Sequence, residues 1–351
     1  MKPRTHISLT AIMLAAALSA MPAAAQESLT VTSWGGAYSK AQDKAYYTPY
    51  TAATGTKIRQ DEWDGSVAKI KAMVETKQVT WDVVSVLSDN ALQGCEEGWL
   101  EKIDYSKLGG KSRFVEGAAM DCAVGTDIYS TIFAYNKDKF PKGGPVSMAD
   151  LFDTKKFPGA RAFYKSPKTT LEFALIADGV PAKDVYKALA TKQGVDRAFK
   201  KLDTIKPDIK VWWSAGAQPP QLLADGEVVM TVAWNGRIQD AIKTSKKNFQ
   251  IVWDGQSMDV EFWAIPKGTK NLKTATDFVA FTMKPEVNAK LTEHIPYGPT
   301  VKEAMTKVSP EILKDLPNAP QNSKNAFVLS PQFWADHGQE LTERFNKWLA
   351  Q

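Results

Sequence analysis

Histidine and cysteine are scarce in this 351-residue chain, with three of the first and two of the second. So few imidazoles and thiols leave little from which to build a His-dependent triad or a Cys/His metal centre. Charge is not concentrated either. The 44 Lys and Arg face 39 Asp and Glu, a net charge of +5 with no long block of one sign, so a nucleic-acid grip is not favoured. No stretch beyond the N-terminus stays apolar for the ~20 positions that a membrane-spanning helix needs. What is present is a globular balance, 44% hydrophobic and 24% charged, enough for a large core in about two domains. Aromatic residues are plentiful: 11 Trp, 10 Tyr and 15 Phe offer flat apolar surfaces to a ligand.

Lys2 and Arg4 precede an apolar run from Ile7 to Ala20, and Pro22 leads into Ala23-Ala24-Ala25. A basic start, an apolar stretch and small residues before a cut describe a secretory signal, residues 1–25, cleaved after Ala25. No Cys follows the cut, so a lipid anchor is not indicated. Export places Cys95 and Cys122 in an oxidising compartment, where a pair is expected to bridge in a structural role.

Leu29 to Trp34 alternates like a strand and stops at Gly35-Gly36; residues 40–54 read as a helix. Lys57-Ile58-Arg59, an amphipathic helix from Ser66 to Thr76, and the apolar run Trp81 to Val86 follow. Strand, helix, strand, helix, strand implies a parallel sheet with crossovers. Further strands are expected at Ile128–Tyr135, Glu227–Ala233 and Glu261–Ile265, among helices near 169–178, 183–192, 194–204, 235–245, 273–283, 286–292 and 336–349. Breaks near 136–145 and 266–268 suggest two α/β lobes. One takes residues 26–136 plus 267–351, the other 137–266, with a cleft where the carboxyl ends of the strands face each other.

Catalytic motifs fail on inspection. Ser66-Val67-Ala68-Lys69 and Ser88-Asp89-Asn90 match two elements of penicillin-recognising enzymes, but the third, Lys-Thr-Gly, is absent and Lys267-Gly268-Thr269 scrambles it. Gly110-Lys111-Ser112 lacks the earlier Gly of a phosphate loop, because Tyr105 stands there. His294 and His337 read as surface or helix-end residues. No enzymatic activity, metal or cofactor is expected. A secreted serine hydrolase using Ser66 and Lys69 is kept as a competing reading.

Thr32-Ser33-Trp34-Gly35-Gly36-Ala37-Tyr38, Trp81-Asp82-Val83-Val84, Gly226-Glu227-Val228, Trp234-Asn235-Gly236-Arg237 and Phe262-Trp263-Ala264-Ile265-Pro266-Lys267-Gly268 occur in that order behind the signal. Together they resemble the bacterial extracellular solute-binding proteins of ABC importers, of the spermidine/putrescine-binding type, over essentially the whole mature chain. The resemblance implies a two-lobed periplasmic-binding-protein fold of type II and a monomeric, non-enzymatic periplasmic protein. Its lobes would close over one small solute and present it to an inner-membrane permease.

Trp34 and Trp234 end strands where the cleft should lie, suited to an ammonium over an aromatic face, although both also fit a core. Glu261 falls where polyamine-binding members carry an Asp that grips an amine, and Asp259 shares its strand face. The polyamine-binding type also holds the far amine with acids near a second-lobe helix; here that place is Ser166 to Thr170, with no acid. Arg237 adds a cation suited to a carboxylate, or else pairs with Glu261 or a surface acid. An Arg at one end and acids at the other favour a γ-aminobutyrate-like ω-amino acid over a long polycation such as putrescine or spermidine. Gly35, Tyr38, Trp213, Ser214, Gln218 and Tyr297 complete the expected contacts, with Trp63 and Asp64 behind them. The same fold holding an anion or metal complex on Arg237, Arg161 and tyrosines is a further alternative.

Overall fold

The structure, a computed structural model, describes residues 28–351; the expected signal at 1–25 lies outside the described residues. Eight strands form the body of the sheet. They are β1 (Ser28–Ser33), β2 (Lys57–Glu62), β3 (Val83–Leu87), β4 (Ala123–Asn136), β5 (Arg161–Tyr164), β6 (Ile209–Trp213), β7 (Met230–Trp234) and β8 (Phe249–Ala264). Their spatial order is β2-β1-β3-β8-β4-β7-β5-β6. The order has a pseudo-symmetry. On one flank β1 lies parallel between β2 and β3, on the other β5 lies parallel between β6 and β7. The long strands β8 and β4 run antiparallel in the middle, β8 against β3 and β4 against β7.

Helices follow the parallel strands, as crossovers require. After β1 comes α1 (Gly36–Gln42), continued by a wider π turn at Asp43–Tyr47 and a helix at Thr48–Thr54. The amphipathic segment after β2 is α2 (Val67–Glu75), burying Ile70 and Met73. Then α3 (Ser88–Glu96) follows β3, α4 (Thr170–Ala177) follows β5, α5 (Asn235–Thr244) follows β7, and α6 (Pro331–Leu349) ends the chain. Among the described residues no helix is long and apolar enough to cross a membrane.

Two large cores divide the sheet. One gathers Leu29, Val31, Tyr46, Val83, Val124, Trp263 and Phe278; the other gathers Phe133, Phe163, Phe173, Trp213, Val232 and Ile251. The change of core happens inside β4 and β8. Val124 and Tyr129 of β4 join the first core and Ile132 to Tyr135 the second; Trp263 and Ile251 of β8 divide likewise. The change of core thus lies near residue 130 in β4 and near 257 in β8. Gly- and Pro-rich breaks end the elements, but a continuous strand carries the chain from one core to the other.

The end of the chain also departs from expectation. Phe327, Phe333, Trp334, Leu341, Phe345 and Trp348 pack into the second core, whereas residues 267–351 were expected with the first. Trp334 Nε1 and Tyr186 Oη both donate to the buried Glu172 Oε1 at 2.9 Å, so α6 is pinned to α4. The part of β8 before Glu261 is not evident in the sequence because Asp254-Gly255 interrupts its apolar start and Gln256, Ser257 and Asp259 are polar yet buried, which hides the pattern of a continuous strand. The short strands β5 and β6 were not foreseen either; β6 ends at Trp213, where a loop was expected to begin.

Cys95 and Cys122 are bonded, with their Cα atoms 5.3 Å apart across a separation of 27 residues. The bridge ties the last turn of α3 to the start of β4. Replacing both by Ser is expected to cost about 3 kcal/mol from the loop-closure term, read as a lower urea midpoint. A midpoint equal to that of the parent protein would refute this account.

Candidate functional site

Four strands deliver their carboxyl ends to one cavity between the two cores. β1 arrives at Trp34, β3 at Leu87, β5 at Tyr164 followed by Lys168 and Thr169, and β7 at Trp234 followed by Arg237. Each is followed by the N-terminus of a helix, so ends carrying partial positive charge surround the space. The cavity is small, about 50 Å³ measured at the centre of a water-sized sphere, equivalent to a few water sites.

Its floor is a ladder between β4 and β8. Asp127 lies opposite Glu261, Tyr129 opposite Asp259 and Thr131 opposite Ser257, with register shifts at both ends of the run. Alternate residues share a face, so two carboxylates stand side by side on the floor. Like charges directly opposite each other destabilise a strand pair. Hydrogen bonds take up part of that cost. Asp127 Oδ2 accepts from Tyr38 Oη at 2.6 Å and Thr126 Oγ1 at 2.7 Å. Glu261 Oε1 accepts from Trp34 Nε1 and Ser85 Oγ, both at 2.7 Å. Burial nonetheless dominates: it pushes Asp127 up to about 6 and Glu261 well above the usual carboxylate range, with the neighbouring Asp127 charge adding to the second. Tyr38, Tyr129 and Tyr297 cluster beside them, with ring centroids 5.6 and 6.1 Å apart.

The facing wall carries cations. Lys168, in the loop before α4, pairs with Asp89 of α3 at 2.5 Å. Burial alone would lower the Lys168 ammonium's pKa, but the Asp89 carboxylate outweighs it and the pKa is raised. The next residue, Thr169, is buried in a left-handed conformation with φ 67°, a strained setting for a residue with a branched Cβ. Arg237 donates from Nη1 to Gly35 O at 2.8 Å and from Nη2 to Trp34 O at 3.3 Å. Four buried polar atoms of the cavity residues have no hydrogen-bond partner within the protein: Asp127 Oδ1, Thr169 Oγ1, Arg237 Nε and Ser257 Oγ. Buried polar groups are rarely left unpaired, and four around one cavity point to a polar solute as their partner.

Of the residues singled out in the sequence, Trp34, Tyr38, Trp234, Arg237, Glu261 and Tyr297 line this cavity. Gly35 stands behind it and meets Arg237 through its carbonyl. Asp259 lies a layer back, accepting from Tyr129 Oη at 3.1 Å, and burial pushes it up to about 7. Trp213 is enclosed in the second core, stacked on Tyr164 at 4.6 Å and donating to Val232 O, because it ends a strand. Ser214 and Gln218 are exposed, and the Gln218 Oε1 is occupied by the Ser214 and Ala215 N–H groups. Trp63 packs on Trp34 at 5.2 Å from outside the cavity, with Asp64 exposed next to it. Asp127, Tyr129, Thr131, Tyr164, Lys168, Thr169 and Ser257 are lining residues that the sequence reading missed.

The competing readings lose their residues. Arg161 is enclosed and donates to the carbonyls of Leu151, Phe157 and Gly159, far from serving an anion in the cavity. Lys69 sits over the Trp81 ring, 4.1 Å from its centroid, and among the described residues no hydrogen bond joins its ammonium to the Ser66 hydroxyl. Among the described residues no group of three or more His, Cys, Asp or Glu is arranged to hold a metal.

Known proteins share this arrangement. Residues 45–321 match the family described as bacterial extracellular solute-binding protein. The chain is 45% identical over 346 residues to a gamma-aminobutyric acid-binding protein of Pseudomonas aeruginosa, covering 99% of this chain and 96% of that one. A solved GABA receptor structure superposes with a TM-score of 0.82 at 38% identity, covering 93% of this chain and 98% of that one. The structure of the binding protein MotA from A. tumefaciens B6 in complex with glucopine superposes with a TM-score of 0.86 at 34% identity, covering 92% of this chain and 99% of that one. With its floor of carboxylates, its facing cations and a match over most of its length, the chain belongs to the bacterial extracellular solute-binding proteins, as a substrate-binding protein of an ABC transporter.

Proposed function

We propose that this protein binds a short ω-amino acid of the γ-aminobutyrate kind and delivers it to its permease. The observation that carries the reading is that both signs of charge line one small cavity, with Asp127 and Glu261 on the strand floor and Lys168 and Arg237 on the segments that follow β5 and β7. An ammonium placed between Asp127 Oδ1 and Glu261 relieves the repulsion of two carboxylates held side by side. Trp34, Tyr38 and Tyr297 shield it and add aromatic attraction. The carboxylate then meets Lys168, Thr169 Oγ1 and Ser257 Oγ, atoms that otherwise lack enough partners. A volume equivalent to a few water sites suits a short unbranched solute better than spermidine. The GABA-binding relative supports the same ligand class.

On this reading the protein is exported by cleavage after Ala25, works as a periplasmic monomer without enzymatic activity or cofactor, and closes two lobes about the solute. Residues 28–129, 258–316 and 130–257 with 327–349 approximate those lobes. Calorimetric titration tests the ligand directly: γ-aminobutyrate should bind more tightly than putrescine, and putrescine more tightly than spermidine. Silence with all three would sink the ligand class. Asp127→Asn should weaken γ-aminobutyrate binding by about tenfold or more, the worth of a charge-assisted hydrogen bond, without lowering the melting temperature of the free protein, because it removes one of two opposed carboxylates. An unaltered affinity would remove Asp127 from the site.

The raised carboxyl makes binding depend on pH. A solute ammonium needs Asp127 ionised, and burial holds that group protonated up to about 6 in the free protein. Binding must then expel a proton at lower pH. Affinity is expected to fall by up to about tenfold per pH unit below that point, and the raised Glu261 carboxyl extends a weaker decline above it. Titrations from pH 4.5 to 8 read this directly, and a pH-independent affinity would contradict it.

A further inference from the structure

On the ligand reading just given, we infer that the two cations of the site divide the work: Lys168 selects solutes with a carboxylate, whereas Arg237 holds the two halves of the protein together around any solute.

The guanidinium of Arg237 is committed to the protein. Nη1 and Nη2 donate to the carbonyls of Gly35 and Trp34, which enter α1 beside the first core. Arg237 itself rides on α5, which packs into the second core through Ile238. Its neighbours on the helix act alike. Asn235 Nδ2 donates to Pro296 O at 3.0 Å and Gln239 Nε2 to Asp315 O at 2.8 Å. The first two turns of α5 thus reach four backbone carbonyls across the seam, acceptors that no change of solute alters. Glycine makes that approach possible: a Cβ on Gly236 would stand 2.5 Å from Ile295 Cγ1 and 2.6 Å from Tyr297 Cε1. One on Gly36 would stand 2.6 Å from Arg237 Nη1. Of the five N–H donors of Arg237, one on each Nη is tied to a protein carbonyl and Nε is the one nitrogen without a partner, so the two-pronged fork that makes Arg a carboxylate clamp is not free to turn whole toward the cavity.

Lys168 is placed for the other task. Its ammonium has three donors, of which Asp89 occupies one at 2.5 Å. The pair is well shielded, with side-chain exposures of 17% and 12%, so the long stem is held in one position. The chain neighbour of Lys168, Thr169, lines the same cavity with an Oγ1 that is buried without a partner. A carboxylate satisfies both groups. The second ammonium of a diamine would meet the like charge of Lys168 there, with only the Thr169 hydroxyl and Asp89 Oδ1 as acceptors without partners.

Calorimetric titration of γ-aminobutyrate and of putrescine into the parent protein, Lys168→Gln, Arg237→Gln and Gly36→Ala separates the roles. Lys168→Gln is expected to shift the ratio of the two Kd values toward putrescine by about tenfold or more. Arg237→Gln should weaken both solutes by a common factor of about ten to a hundred, leaving the ratio within about threefold. Small-angle scattering of the solute-saturated variant should show a larger radius of gyration than the parent's. Gly36→Ala displaces the guanidinium without removing its charge and should reproduce that uniform loss; it carries the test if Arg237→Gln does not fold. A selective loss of γ-aminobutyrate in Arg237→Gln, or a uniform loss in Lys168→Gln, overturns the division. A parent protein that binds neither solute overturns the ligand reading and the division with it.

Discussion

The antiparallel pairing of β4 with β8 is the constraint on which the rest of the molecule depends. These two strands are long enough to belong to both cores, and the stretch in which they change core is the stretch that floors the cavity. Register therefore sets chemistry here. A slip of one residue would turn Asp127, Tyr129, Thr131, Ser257 and Glu261 away from the cavity and bring residues such as Ile128, Met258 and Val260 to that face. The register shifts at either end of the run isolate it from the regular ladder beyond.

Placing two carboxylates opposite each other on buried strands opposes stability, and the structure accepts this at the one place where a cationic group can offset it. Tyr38, Thr126, Trp34 and Ser85 each donate to one oxygen of the pair, which leaves the second oxygen of each acid toward the solute. The facing wall repeats the pattern in the opposite sign. Asp89 and the carbonyls of Trp34 and Gly35 hold the two cations while leaving them incompletely partnered. Preorganised but unsatisfied polar groups of both signs give a binding site rather than a catalytic one.

Much of the scaffold was legible in the chain. Alternation marked β1, the apolar run marked β3, and helical spacing marked α2, α5 and α6, because these elements bury one face in the ordinary way. Trp34 and Trp234 could be placed at the cavity since a strand ending in Gly or Asn signals a turn into a helix. Asp127 left a fainter signal, an acid within the apolar run from Ala123 to Tyr135, but the strand was read as starting one residue after it. Lys168 was passed over because that segment was searched for acids, while the cation in it was the informative residue. Trp213 was misplaced for the opposite reason: its polar, small-residue neighbours look like a binding loop, yet the indole closes a strand inside the core.

By itself, then, the sequence determined the alternation of strands and helices, the disulfide partners available, and which aromatic residues end strands. Those are properties of short windows, governed by backbone periodicity and turn chemistry. Tertiary structure alone decided that Asp127 would face Glu261, that Lys168 would meet Asp89, that Arg237 would be drawn to two backbone carbonyls, and that the last helix would join the second core. Each of these brings together groups distant in the chain, and the charge state of each group follows from burial that exists only once both cores have formed.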